Sequence, residues 1–127
     1  MAHVTALYAG LLGLLAIALA LAVGRLRNSE QVSIGDGGNL ELIAAMRRHA
    51  NFVEFVPLTL ILIGLLETNG VSAGAIHGLG ASLLLARVCH AVGYGTNESL
   101  MTFRIIGAAG STLVLAVASI WSVAVFF

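Results

Sequence analysis

The polar residues with the most chemical potential in this sequence lie in one short segment, RRHANFVEF, within an otherwise apolar chain. Arg47, Asn51 and Glu54 fall at positions i, i+4 and i+7, so in an α-helix they share one face, with Arg48 at its border. A guanidinium group binds carboxylates in bidentate fashion and stays protonated in proteins. This face therefore indicates a site for a ligand that carries anionic groups.

A second polar face is predicted in the segment ARVCHAVGY. Arg87, His90 and Tyr94 fall at i, i+3 and i+7. Together with Arg104, the two faces supply four arginines against one deep carboxylate, that of Glu54. An unpaired charge at membrane depth costs several kcal/mol, and a bound anion would remove that cost.

Two interpretations of these polar faces stay open from the residues alone. The side chains could fasten a helix bundle through buried pairs, for example Arg87 with Glu54. Alternatively, they could bind a small ligand that has carboxylates, an amine and a thiol. In that case the arginines would bind the carboxylates, Glu54 the ammonium group, Asn51 an amide, and a further arginine or Tyr94 the sulfur.

The composition places these residues in a membrane protein. The chain has 127 residues, of which 59% are hydrophobic and 9% charged, and its mean hydropathy is +1.02. We predict one all-α domain over residues 1–127, an integral membrane four-helix bundle with spans at about 4–24, 40–68, 72–95 and 101–126. The first span is too long and lacks the basic start of a secretory signal.

Charge and cysteine content exclude several classes of function. The formal net charge is zero, so we expect no nucleic-acid partner. Cys89 is the single cysteine, which excludes an internal disulfide, and neither it nor His49 is expected to hold a metal. The basic residues are all arginines and lie near one side of an even number of spans, so the positive-inside rule predicts that both termini face away from the cytoplasm.

Local signals define the second helix. Asn39 followed by Glu41 is typical of a helix start, and Asn69-Gly70 predicts a helix stop and tight turn. Pro57 within this helix should kink it. Small residues on the last two helices, including Gly78 and Gly107, should allow close helix packing.

The two motifs carry a family resemblance. RRHANFVEFVPLTLILIGLLE and ARVCHAVGY resemble the signature segments of the MAPEG superfamily, the membrane-associated proteins in eicosanoid and glutathione metabolism. The similarity covers the length, the four spans, the polar first loop and both patterns in order. It implies a homotrimer of four-helix subunits, of the bacterial inner-membrane type, with glutathione as cosubstrate bound between neighbouring subunits near the cytoplasmic side.

The resemblance also implies residue roles. Arg104 matches the arginine that stabilises the glutathione thiolate, and either Arg25 or Arg27 matches a basic residue at the end of the first helix. Two positions depart from the eicosanoid branches: Phe55 replaces a tyrosine and Ile105 a serine, which puts either eicosanoid reaction in doubt. The residues implied to bind glutathione are Arg47, Arg48, Asn51, Glu54, Arg87, His90 and Tyr94.

The function that this resemblance implies is a glutathione-dependent transferase or peroxidase acting on a lipophilic electrophile or hydroperoxide in the lipid bilayer. A thiolate stabilised by arginine would be the nucleophile. The alternatives are a catalytically silent scaffold of the same fold and a small multidrug transporter, which would also have four short helices and an intramembrane glutamate. The arginine excess disfavours a cation pathway.

Overall fold

The computed structural model describes all residues from 1 to 127 and confirms an all-helical chain without strands. Each of the four long helices is long and apolar enough to cross a bilayer. A single 3₁₀ turn, Glu98–Leu100, precedes the last of them. The helices are α1 (His3–Ser29), α2 (Leu40–Thr68), α3 (Ala73–Gly93) and α4 (Met101–Ala124).

The ends of α2 follow the local signals in the sequence. The side chain of Asn39 accepts a hydrogen bond from the Leu42 N–H at 2.9 Å, which satisfies one free donor of the first turn. Gly70, in the turn after α2, has φ of +87°, a conformation that glycine adopts without steric cost. The helix is continuous through Pro57. By contrast, α3 ends at Gly93, so Tyr94 lies just beyond the helix in an extended conformation.

Contacts at the helix ends show an up-and-down arrangement. The Glu67 carboxylate, at the end of α2, accepts hydrogen bonds from the Val4 N–H at 2.9 Å and the Thr5 N–H at 2.8 Å, at the start of α1. The Tyr8 hydroxyl lies 3.0 Å from Nδ1 of His77, near the start of α3. The beginnings of α1 and α3 therefore share one end of the bundle, and the arginines lie toward the other.

Apolar side chains fill the interior between the helices. The core includes one or more side chains from each helix, and these are almost inaccessible to solvent. In a bilayer the outer face can be equally apolar, so the interior is distinguished by close packing rather than by hydrophobicity. The core residues are Leu12, Leu19, Phe52, Val56, Ile63, Leu66, Ile76, Leu83, Val114 and Ala118.

The backbones of α3 and α4 approach closely at two glycines. A Cβ atom on Gly107 would lie 2.5 Å from the Ala86 carbonyl oxygen and 2.7 Å from the Cα of His90. A Cβ on Gly93 would lie 2.7 Å from the Leu100 carbonyl oxygen. The predicted close packing is thus found at Gly107, whereas Gly78 has no atom within 4 Å of a Cβ position. This approach brings Arg87 against α4.

Candidate functional site

Arg87 joins three helices at the centre of the polar region. Its side chain is 1% exposed. Nε donates to Oγ of Ser111 on α4 at 2.6 Å, and Nη1 donates to Oδ1 of Asn51 on α2 at 3.0 Å and to the Asn51 carbonyl oxygen at 3.3 Å. The guanidinium carbon also lies 5.4 Å from the centroid of the Phe55 ring. Arg87 therefore connects α2, α3 and α4 through neutral groups.

The pair of Arg87 with Glu54, which was one interpretation of the sequence, is not formed. Arg87 bonds to Asn51 and Ser111 instead, and Glu54 is exposed on the outer surface of α2. Nη2 of Arg87 is buried and has no hydrogen-bond partner. The most deeply buried cation of the chain is thus held without a carboxylate, which leaves its charge uncompensated.

Tyr94 contacts three of the other predicted residues: Arg104, His90 and Arg48. The Arg104 guanidinium carbon lies 5.2 Å from the centroid of the Tyr94 ring, a cation–π distance. The His90 ring, on a residue that is 4% exposed, lies 5.2 Å from the same ring, centroid to centroid. Because the chain leaves the helix at Tyr94, its ring can contact the first turn of α4 and the last turn of α3 together.

Arg48 holds the end of α3. Its Nη1 donates to the Ala91 carbonyl oxygen at 3.2 Å and to the Tyr94 carbonyl oxygen at 3.4 Å. The last carbonyls of a helix lack partners within the helix, and a cation placed there is favourable. Arg48 thus fixes the backbone at Tyr94 and, through it, the position of the Tyr94 ring. The Nε of Arg48 is buried without a hydrogen-bond partner.

A cavity of about 290 Å³ lies beside Arg48 at this end of the bundle. It separates the end of α1 and the start of α2 from the α3–α4 connection. Its walls carry both charges, because Glu41 and Arg48 both line it. The remaining lining residues are Leu26, Ala44, Ala45, Tyr94, Gly95, Thr96 and Asn97.

Three predicted ligands lie along the outer face of α2. Arg47 and Glu54 are exposed and Asn51 is half-buried between them. Of the three, only Asn51 hydrogen-bonds to another predicted site residue, Arg87. The structure therefore pairs Arg87 with Asn51 and groups Arg48, His90 and Arg104 around Tyr94. It leaves Arg47 and Glu54 at the surface.

The two arginines at the end of α1 differ in their surroundings. Arg27 is occupied by the first connection, since its Nη1 donates to the Gly35 carbonyl oxygen at 2.9 Å and the Val32 carbonyl oxygen at 3.3 Å. Its Nη2 lies 3.4 Å from Sδ of Met46. Arg25 is exposed. Of the two, Arg25 is therefore the residue that is available to a group from outside the subunit.

The arginine hydrogen bonds share one property across the subunit. Each one goes to a neutral acceptor: backbone carbonyls, the Met46 sulfur, the Asn51 amide or the Ser111 hydroxyl. The hydrogen bonds of the arginine side chains thus leave the carboxylates of this end unused.

Sequence reasoning missed two contributors to this region. Ser111 has no role among the sequence predictions, yet it accepts from Arg87 and donates to the Gly107 carbonyl oxygen at 2.7 Å. Phe55 was noted only as a departure from a relative, yet its ring lies against the Arg87 guanidinium. The spacing of Arg104, Gly107 and Ser111 at i, i+3 and i+7 was the signal that could have identified the α4 face.

Comparison with known proteins gives one family and two curated relatives. The family model described as "MAPEG family" matches residues 5–124. "Inner membrane protein YecN" of Escherichia coli (strain K12) is 36% identical over 121 residues, which cover 93% of this chain and 91% of the relative. The protein of the same name from Escherichia coli O6:H1 (strain CFT073) matches with the same identity and coverage. These relatives are described as inner membrane proteins, in agreement with the four apolar helices.

Proposed function

The chain belongs to the MAPEG family, and from this premise we propose that it binds glutathione at the arginine-rich end and acts as a membrane glutathione transferase or peroxidase. The ligand lies between neighbouring subunits of a homotrimer. Lipophilic electrophiles or hydroperoxides reach the site from the bilayer. Membership of this family supports this proposal over the small multidrug transporter.

The observation that carries this proposal is the absence of carboxylates from the arginine hydrogen bonds of the subunit. A cluster of guanidinium groups that is bound only to neutral acceptors keeps most of its positive potential. Glutathione carries two carboxylates, and its binding would neutralise that potential. The unpartnered, buried nitrogens of Arg48 and Arg87 are consistent with a region that favours an anion nearby.

The exposed positions of Arg47 and Glu54 support a site between subunits. A charged side chain that faces lipid is costly, whereas the same side chain at a protein interface can bind a ligand or a partner. Arg47 would bind a carboxylate of glutathione and Glu54 its ammonium group, with Asn51 between them. Arg25, which is also exposed, would add a further cation from the end of α1.

Arg104 is the residue that stabilises the glutathione thiolate in this proposal. A free thiol has a pKa of about 8.5 and is mostly protonated at neutral pH, and a nearby guanidinium favours the thiolate. Each unit by which the pKa falls provides roughly tenfold more thiolate. The ring of Tyr94 holds the Arg104 guanidinium in place, while Arg48 and His90 fix the position of that ring.

The subunit contributes position and charge to two overall reactions. In the transferase reaction the thiolate sulfur forms a bond to an electrophilic carbon. Either a leaving group departs from that carbon with the bonding electrons and the thiol proton goes to solvent, or an activated double bond opens and the resulting carbanion takes up a proton. In the peroxidase reaction two glutathione molecules reduce the hydroperoxide to an alcohol and water, and leave as the disulfide. Both reactions depend on a positioned thiolate, which is where electrostatic stabilisation by Arg104 acts.

The test uses the purified protein in detergent. We expect it to bind glutathione in titration calorimetry and to increase the ultraviolet absorbance of the thiolate. Arg104→Ala should abolish the thiolate absorbance while largely retaining binding, and Arg104→Lys, which keeps the charge, should retain part of it. No binding by the wild type at millimolar glutathione would refute the proposal. Binding without turnover on any electrophile or hydroperoxide would point to the silent scaffold instead.

A further inference from the structure

The hydrogen bond between Arg87 and Asn51 determines how the Asn51 amide is turned. A guanidinium group has donors only, so the group that faces it must be an acceptor. In the structure this acceptor is Oδ1 of Asn51, at 3.0 Å from Nη1 of Arg87. The opposite orientation would place the amide NH₂ against the guanidinium and leave a buried donor without a partner, which is unfavourable.

The other end of the amide is free. Asn51 is half-buried, and its Nδ2 donates to no acceptor within the chain. Nδ2 is not one of the buried polar atoms without a partner, so it must be accessible to solvent. Nδ2 therefore reaches the surface of the subunit. It lies on the face of α2 that also carries Arg47 and Glu54.

We infer that Arg87 is a positioning residue, which turns the Asn51 amide so that Asn51 presents only N–H donors on the outer face of α2 and selects a carbonyl or carboxylate oxygen of the ligand. This inference rests on the proposed function for the identity of the ligand, glutathione. It assigns Arg87 a role through Asn51 rather than a direct contact, because a side chain that is 1% exposed cannot be reached from the surface.

Arg87 is suited to this task because its own position is fixed from three sides. Ser111 accepts from Nε at 2.6 Å, the Asn51 carbonyl oxygen accepts from Nη1, and the Phe55 ring lies against the guanidinium. Ser111 is in turn held by the Gly107 carbonyl oxygen. The orientation of the amide is therefore set before any ligand binds, which reduces the entropy lost on binding.

The outer face of α2 then has a definite order of hydrogen-bonding groups. Arg47 and Asn51 present donors, and Glu54 presents an acceptor one further turn along the helix. A complementary ligand presents two acceptor groups followed by an amine or another donor. Within this pattern, Arg87 determines that Asn51 presents a donor rather than an acceptor.

The experiment compares Asn51→Asp with Asn51→Ala, using the purified protein in detergent. The Asp variant gives Arg87 a carboxylate partner but replaces the outward donor by an acceptor. We expect it to melt at a higher temperature than Asn51→Ala, yet to bind glutathione about tenfold more weakly than the wild type, or worse. Asn51→Ala should lose both stability and affinity. Wild-type affinity in Asn51→Asp would overturn the inference, because the donor would then not be required.

A double-mutant cycle separates positioning from general structural damage. Arg87→Met frees the amide, so we expect weaker glutathione binding in that variant and little further loss when Asn51→Ala is added. Full additivity of the two losses would show that Arg87 does not act through Asn51. If the wild type binds no glutathione, the proposed function fails by itself. The melting temperatures then test the Arg87–Asn51 hydrogen bond by themselves: equal values for Asn51→Asp and Asn51→Ala would show that Arg87 does not hold residue 51.

Discussion

At the scale of single residues, Tyr94 has a role that depends on its position just after α3. Its ring faces the Arg104 guanidinium and the His90 ring, and its carbonyl oxygen accepts from Arg48. The contact with Arg104 uses the ring face, so the hydroxyl is not needed to hold the guanidinium. The aromatic ring and the hydroxyl can therefore be tested separately.

We expect Tyr94→Phe to retain the thiolate absorbance of bound glutathione and Tyr94→Leu to lose much of it. A cation–π contact contributes about 0.5 to 2 kcal/mol, so the Leu variant should populate the thiolate roughly two- to thirtyfold less. Ultraviolet difference spectra at saturating glutathione give the measurement. The opposite order, with the Phe variant affected and the Leu variant normal, would assign the role to the hydroxyl.

The sequence predicted which residues carry the polar chemistry but not how they divide their roles. The helical spacing of Arg87, His90 and Tyr94 predicted one shared helix face. The His90 and Tyr94 rings lie 5.2 Å apart, although α3 ends at Gly93 and Tyr94 lies beyond it. The spacing did not show that Arg87 is buried against Asn51 and Ser111. A partner on another helix depends on which helices pack together and on their relative shift along the helix axis. The periodicity of a single helix indicates neither which helix packs against it nor how the two are shifted.

At the scale of elements, the α3–α4 pair sets the geometry of the polar region. The close approach at Gly107 places the backbone of α4 beside Ala86 and His90, and one turn further along α4 brings Ser111 to Arg87. A side chain at Gly107 would therefore move α4 away from the residues that hold the Arg87 guanidinium.

Gly107→Ala should destabilise the fold by about 1 to 3 kcal/mol, since its Cβ would meet backbone atoms, which cannot move independently. Gly78→Ala is the matched control, because a Cβ there meets nothing within 4 Å and alanine favours a helix over glycine. Thermal unfolding in one detergent measures both. Equal melting temperatures would mean that the α3–α4 contact is not tight at this level.

Helix existence and many of the end signals were predictable, whereas helix pairing was not. Hydropathy and length indicated four helices, and Asn39 and Gly70 lie at the ends of α2 as their residue types indicate. The small-residue pattern was ambiguous, because Gly78 and Gly107 look alike in sequence but only Gly107 packs against another backbone. Small residues permit a close approach without specifying a partner.

At the scale of the whole molecule, the up-and-down arrangement gathers the arginines at one end of the bundle. The positive-inside rule predicts that this end faces the cytoplasm and that both termini lie on the opposite side. The orientation matters for the proposed function, because it decides in which compartment the charged ligand enters the site.

We expect alkaline phosphatase fused after Phe127 to be active and a green fluorescent protein fused there to be dark, as required for a non-cytoplasmic terminus. The same reporters fused after Gly38, in the first connection, should give the reverse result. Fluorescence from the Phe127 fusion together with phosphatase activity from the Gly38 fusion would invert the assignment and place the arginine-rich end outside the cytoplasm.

The bond between the first and second helices has a consequence for biogenesis. The start of α1 is held by Glu67, the last acidic residue of α2, through the backbone N–H groups of Val4 and Thr5. These hydrogen bonds cannot form until translation has passed residue 67, so α1 is synthesised before its partner carboxylate exists. The α1–α2 hairpin, rather than a single helix, is therefore the smallest unit in which the Glu67 carboxylate has these protein hydrogen-bond partners.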